Sequence, residues 1–277
     1  MKKKSQNGVT VRKVDEPTTW DGYFKAFLKL LPSVSQSIDQ RTIFCDVCRV
    51  FSLSIRGAVT LDEKEKDEIE KQYKSFVVKY GNEGMGKIAV LLSYVVQALE
   101  LRRSDFLGHV YEALCATNKH FGQYLTPDCI ARMMARMSIS SEAPKVGKIV
   151  RMNDCSCGAG ALLIEAAEAF IESGGRQCDL VLYGEDLDPT ASYISYVQFS
   201  LLGYAAVVTH QDSLSREIYE GPWHTPCYFA HGMPMRLIAE GMKQKKEEQT
   251  QDKSASVPKV ESQSINVREL VQGEFNF

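Results

Sequence analysis

The segment richest in chemistry is Ile149-Val150-Arg151-Met152-Asn153-Asp154-Cys155-Ser156-Cys157-Gly158-Ala159-Gly160-Ala161-Leu162-Leu163-Ile164. Its order of apolar, small and Ala/Leu-rich residues predicts a strand, a tight turn and a helix. Gly158 and Gly160 carry no side chain, so a ligand can lie against the backbone of the turn. The helix opening at Gly160 offers N–H groups and a partial positive charge. Asp154, at the strand end, would repel a pyrophosphate and suits a ligand carrying an amine or a positive charge. The amino group and sulfonium of S-adenosylmethionine meet that requirement. A dinucleotide site would want a further glycine where Leu163 stands. A tight strand-to-helix turn without a ligand is the competing reading of the same residues.

Two more acids fall at comparable places. Tyr183-Gly184-Glu185-Asp186-Leu187-Asp188-Pro189 puts Asp186 at the tip of a second apolar stretch, where a nucleoside-binding α/β site places its acceptor for the ribose hydroxyls. His210-Gln211-Asp212-Ser213-Leu214 follows a third stretch, with Asp212 at its end. Successive strand ends that each bear an Asp point to one crevice at the carboxyl edge of a sheet. Asp186 and Asp188 also suit capping of a helix at Pro189, and Asp212 suits capping of a turn. Cys45 and Cys48 have half the spacing of a zinc site, but no second pair follows at a finger-like distance. They read as buried thiols, and no metal is expected.

The elements that must position these residues fall into successive stretches. Residues 1–18 read as a flexible N-terminus. Residues 19–137 have helical periodicity: Val47, Val50, Phe51 and Ser54 share a face, Leu61–Tyr80 is amphipathic and charged, and Ile88–Leu101 is more apolar. Gly81, Gly84 and Gly86 are expected to break the last two apart. Residues 138–242 alternate strand and helix, with strands expected at 148–153, 179–183 and 205–209 and helices at 160–173 and 190–202. That alternation implies a parallel α/β sheet. A fourth strand is expected near Trp223–Phe229, while Arg216–His224 does not read as a buried strand. Residues 243–266 have no aromatic and few aliphatic side chains, so they read as a disordered linker. Residues 267–277 form a short apolar ending.

The ordered set of motifs resembles the N6-adenine DNA methyltransferases, in particular type I modification subunits and short phage and plasmid methylases. The resemblance runs from Asp105 to Leu237. It takes in Asp105–Glu112, Gly122-Gln123-Tyr124-Leu125-Thr126-Pro127, the DCSCGAG turn, GEDLDPT, SLLGY and HQDSL. It implies a helical N-terminal region followed by a truncated, Rossmann-like, S-adenosylmethionine-dependent methyltransferase sheet. It implies that Tyr124, Thr126 and Pro127 lie near the methionine end of the cofactor. It gives Asp154, Cys157, Gly158 and Gly160 the amino-acid moiety, Asp186 the ribose and Asp212 the adenine ring. Thr126 suits an N-cap and Pro127 a first helical position. Cys155 stands where the family usually has Pro, and Ala159 where it often has Ser.

The family also carries an Asn/Asp-Pro-Pro-aromatic tetrapeptide that accepts hydrogen bonds from the target amine and stacks on a flipped base. No such tetrapeptide occurs in the 277 residues. The nearest match is Thr225-Pro226-Cys227-Tyr228, with Thr225, Pro226 and Tyr228 as candidate catalytic residues. The favoured reading of that segment is aromatic packing over the sheet edge. The resemblance therefore implies adenine-N6 methylation of DNA. The missing tetrapeptide and the short sheet imply the alternative, a cofactor-binding accessory to a complete methylase or to the replication machinery. They also imply an apolar sheet edge that needs cover, from a homo- or hetero-oligomeric partner or from the helical N-terminal part.

Lys plus Arg total 33 and Asp plus Glu 35, so a net charge of −2 excludes a uniformly basic nucleic-acid coat and leaves any DNA contact to a local face. The basic runs Lys2-Lys3-Lys4 and Arg132/Arg136 read as solvated surface. No apolar stretch reads as a membrane span or a secretory leader, and the eight cysteines are scattered. A reduced, cytoplasmic protein is expected. Gln272, Phe275 and Phe277 reproduce the spacing of short peptides that bind bacterial sliding clamps, a further expected partner.

Overall fold

The computed structural model describes residues 17–115, 126–139 and 145–243. Polar residues begin the helices. Thr19 accepts the Gly22 N–H at 3.0 Å and opens α1 (Trp20–Leu30). Asp39 accepts the Thr42 N–H at 3.0 Å and opens α2 (Gln40–Val59). Asp62 accepts from Lys64 and Glu65 and opens α3 (Glu63–Leu101). The expected break falls at Gly81, whose φ of 63° and ψ of 177° interrupt the helical geometry of α3. Gly84 continues the helix and permits a close approach of the chain at Val34, whose carbonyl oxygen would stand 3.1 Å from a Cβ there. By length and composition alone α3 is apolar enough to cross a membrane. Its Ile88, Leu91, Val95, Ala98 and Leu99 are instead buried in the core.

After α4 (Phe106–Cys115) and α5 (Asp128–Ser138) the chain enters a four-stranded sheet. The elements are β1 (Val150–Asp154), α6 (Ala161–Glu172), β2 (Leu180–Asp186), α7 (Pro189–Leu201), β3 (Ala206–Asp212), β4 (Glu217–His224) and α8 (Pro226–Ala230). Strand order is β1-β2-β3-β4. The first three strands are parallel, as their alternation with helices predicts. The fourth strand differs from expectation. It lies at 217–224, antiparallel to β3, and Pro226–Ala230 is helical. Its mostly exposed residues lack the apolar run that marks a buried strand, so the sequence pattern conceals it.

Residues up to Pro234 form one compact unit in which the helical region packs on the sheet. Trp20 stacks on Phe24 at 5.7 Å and meets Phe106 edge-on at 5.3 Å. Phe27 lies edge-on to Phe44 and Phe106. On α7 every residue from Thr190 to Phe199 is buried, between α2 and the sheet. A second unit begins at Met235, of which residues 235–243 are described and helical.

Phe27 is fully buried among aromatic rings. Phe27→Ala is expected to cost about 3–5 kcal/mol of unfolding free energy, read from the urea midpoint at unchanged slope.

Candidate functional site

The strand registers set three aspartates along one edge of the sheet. Asp154 ends β1 opposite Gly184, Asp186 ends β2 opposite His210, and Asp212 ends β3. Each is half-buried. The turn after β1 is tied to the end of β2. Asp154 Oδ1 accepts the Ser156 N–H at 3.0 Å, and the Cys157 N–H donates to the Glu185 carbonyl at 2.9 Å. The Gly158 N–H donates to Asp186 Oδ2 at 2.7 Å, and Asp188 N–H donates to Asp186 Oδ1 at 2.8 Å. Asp186 therefore shapes the turn as well as facing the crevice. Asp188 accepts from Thr190 and caps α7. Asp212 accepts from Leu214 and Ser215, and these backbone bonds hold its carboxyl below the usual range. The capping roles foreseen for Asp188 and Asp212 are thus realised.

Gly158 and Gly160 both have positive φ, 55° and 93°. At Gly160 a Cβ would also stand 2.7 Å from the Phe199 ring, so glycine is required there on two counts. No side chain caps α6 at Gly160. Cys157, expected against the cofactor, turns inward. Its thiol packs under Gly184 and donates to Ser195 Oγ at 3.8 Å, and burial pushes its pKa up. Its backbone N–H is used by β2 and its carbonyl by Gly160 within the turn, so Cys157 serves as filling beneath the site.

Thr126 and Pro127 are exposed at the start of α5. The cap position falls on Pro127, with no side-chain hydrogen bond, so Thr126 is not the N-cap and Pro127 is not the first helical residue. The helix itself begins at Asp128. Tyr124, and Gln272, Phe275 and Phe277, lie outside the described residues.

Thr225, Pro226 and Tyr228 do not join the three aspartates. Because β4 runs antiparallel, His224 pairs with Val207 and the chain leaves the sheet beside Ala206, the first residue of β3. Asp212 closes the other end of that strand, six residue steps or about 20 Å away. Thr225 is fully buried, accepts the Ala206 N–H at 2.9 Å and donates to the Tyr204 carbonyl at 2.7 Å. Its hydroxyl is committed to the backbone and cannot orient a target amine. Pro226 starts α8, and Tyr228 is buried against His224 at 4.6 Å. Trp223 stacks on Tyr193 of α7 at 5.4 Å, and the Arg56 guanidinium of α2 lies over the Trp223 ring, 4.7 Å from its centroid. Aromatic packing is the role of this segment.

Several site residues escaped the sequence reading. Ser213 donates to the Cys155 carbonyl at 2.6 Å and to Glu185 Oε2 at 3.2 Å, tying the loop after β3 to the turn after β1. Tyr111 of α4 donates to Asp188 Oδ2 at 3.0 Å. Gln198 donates to the Ala159 carbonyl at 2.9 Å. The only signal for Gln198 was a polar residue within an otherwise apolar helical stretch. Arg132 is paired with Glu165 and Arg136 with Glu172. An apolar cleft of ≈ 410 Å³ lies beside β1, bounded by residues such as Met134, Met152, Leu163 and Phe170, with Asp154 at one end. Among the described residues no three His, Cys, Asp or Glu side chains gather to hold a metal. The arrangement can hold a small ligand bearing a cationic group and hydroxyls. Carboxylates line it, and the glycine turn lets the ligand approach the backbone.

Residues 102–228 match the family model described as N-6 DNA methylase. No curated protein matches the chain. Solved structures that resemble it include the following two. One is the methyltransferase subunit of a type I restriction-modification system from Streptococcus thermophilus, at 14% identity and a TM-score of 0.41, covering 72% of this chain and 60% of that one. The other is described as a class I S-adenosylmethionine-dependent methyltransferase of Listeria monocytogenes, at 18% identity and 0.38, covering 73% of this chain and 57% of that one. This chain thus spans less than two thirds of either structure's length.

Burial lowers the pKa of His224 from 6.5, with Glu65 acting weakly against the shift. As pH falls below that value the unfolded chain takes up the proton first, so this stabilisation is present above it and declines as acid is added. The loss of melting temperature between about pH 7.5 and about pH 5.5 is expected to be smaller in His224→Gln than in the parent.

Proposed function

We propose that this chain, whose residues 102–228 belong to the N-6 DNA methylase family, binds S-adenosylmethionine along the carboxyl edge of β1–β3 and serves methylation of adenine N6 in DNA. The carrying observation is the row Asp154, Asp186 and Asp212 around a glycine turn that has no cationic side chain of its own. That donor set suits a ligand with an ammonium, a sulfonium and ribose hydroxyls, and it disfavours a pyrophosphate. Asp154 would face the amino group, Asp186 the ribose, and the loop at Asp212 the adenine. S-adenosylmethionine supplies an electrophilic methyl group when bound. The residues of this chain hold it by charge and hydrogen bonds, and the Gly158–Gly160 backbone allows close approach.

A second reading is favoured by one observation. The 277 residues contain no Asn/Asp-Pro-Pro-aromatic tetrapeptide, and the Thr225–Tyr228 segment stands at the opposite edge of the sheet. On that reading the chain holds the cofactor while another polypeptide, a complete methylase or part of the replication machinery, brings the base-binding acceptors. Under either reading DNA is the partner of the assembly. A clamp contact through Gln272, Phe275 and Phe277 stays a separate proposal.

Calorimetry with S-adenosylmethionine tests the common part. Asp154→Asn keeps an acceptor for Ser156 but removes the charge. It is expected to weaken binding by about tenfold or more with little change in melting temperature, as loss of a charge-assisted contact predicts. Absence of saturable binding by the parent would sink the proposal. Transfer of labelled methyl to adenine N6 by the chain alone supports the first reading. Transfer only on adding a second protein supports the second.

A further inference from the structure

Gln198 lies on the buried face of α7 and uses every hydrogen-bonding position of its amide. Its Oε1 accepts from the Phe106 N–H at 2.8 Å and the Leu107 N–H at 2.9 Å, the first two residues of α4. Its Nε2 donates to Asp105 Oδ1 at 2.8 Å and to the Ala159 carbonyl at 2.9 Å. A primary amide has two donors and two acceptor lone pairs, so no capacity is left over. Three of the four partners belong to the start of α4. The fourth is the residue between the two glycines of the turn.

The start of α4 is itself built around this amide. The first N–H groups of a helix have no partner within it. Here Gln198 takes those of Phe106 and Leu107, and Asp105 Oδ1 takes that of Gly108 at 2.7 Å. Gly108 has no room for a Cβ, which would stand 2.0 Å from Asp105 Oδ2. The Asp105 carboxyl is buried, and that burial raises its pKa.

On the other side, the peptide joining Ala159 to Gly160 is held at both poles. Its carbonyl accepts from Gln198, and its N–H donates to the Cys157 carbonyl at 2.8 Å. A peptide unit is planar, so fixing both poles fixes its orientation. The flanking glycines are the two positions of the turn with the greatest torsional freedom. Without the anchor between them the turn could rotate about both. Ser195 and Phe199, on the same stripe of α7, support the turn from below through Cys157 and Gly160.

We propose that Gln198 is a positioning residue that couples the start of α4 to the cofactor turn. It fixes the Ala159–Gly160 peptide and so aims the glycine backbone at the ligand. The inference rests on the reading of the carboxyl edge as a cofactor site. Tyr111, five residues after Phe106 on α4, bonds Asp188 at the head of α7, so one helix braces the turn and the start of α7 together. Coupling of this kind is reciprocal: ligand in the crevice slows amide exchange at the start of α4.

The test uses the full chain with Gln198→Met, which keeps length without hydrogen bonds, and Gln198→Asn, which keeps a shorter amide should the first variant not fold. Calorimetry with S-adenosylmethionine and amide hydrogen exchange are read on both. The expected result is a loss of affinity of about tenfold, within the range for coupled sites, with faster exchange over residues 157–161 in the ligand-free protein. Leu91→Ala, a core variant of α3, is expected to lower the melting temperature yet keep parental affinity and parental exchange in the turn. A folded Gln198 variant with parental affinity and parental exchange in the turn overturns the inference. So does an equal loss of affinity in Leu91→Ala. If the parent binds no S-adenosylmethionine, the cofactor reading has failed on its own, and exchange over 157–161 alone decides the role of Gln198.

Discussion

From Thr190 to Phe199 α7 buries every side chain, and a helix with no solvent face must be packed on all sides. One side meets α2, the other the sheet, and Gln198 on a third meets both α4 and the glycine turn. The polar side chains of this helix are therefore placed with care. Ser192 bonds the backbone at Asp188, Ser195 the backbone at Ser192, and Gln198 has four partners. A buried polar group without such partners would cost about 1–3 kcal/mol. The helical region accordingly braces the glycine turn from behind, through Gln198.

The parts of this fold that were legible in the sequence are those with a local cause. Alternating apolar strands and Ala/Leu-rich helices declared β1, β2, β3, α6 and α7, and the glycine turn and three strand-end aspartates fell where that pattern put them. Gly81 broke α3 because its own torsions do so. What escaped has a non-local cause. β4 is an exposed strand on the outer side of β3, so it needs no apolar run, and Pro222 with two glutamates disguises it as a loop. Cys157 looked like a site residue from its neighbours in sequence, but the glycine across the sheet at 184 opens the space its thiol fills.

Charge gives a similar lesson. Near-neutrality of the whole chain excluded a basic coat, yet it was silent about pairing. Arg132, Arg136 and Arg103 each meet a glutamate of α6. Glu165 is the most buried of those partners, and its two bonds with Arg132 hold α5 on α6. Isolated exposed pairs contribute little, but here the same contacts also satisfy a buried carboxylate. Arg132 therefore serves the packing of α5 on α6, while the Arg136–Glu172 pair stays at the surface.

The antiparallel return of β4 has the largest consequence for function. A parallel fourth strand would have delivered its trailing residues to the carboxyl edge, beside Asp212 at the end of β3. The antiparallel one delivers Thr225–Tyr228 to the amino edge, where Thr225 closes the start of β3 with two backbone bonds. The two ends of the sheet thus do different work, one packing aromatic rings and the other presenting acids around a glycine turn. Among the described residues the acidic end is formed by the loops that follow β1, β2 and β3, tied together by Ser213, Glu185 and Asp186. Among the described residues, the side chains that do this tying are two acids and a serine, so the acidic edge is held together by the same groups that line it.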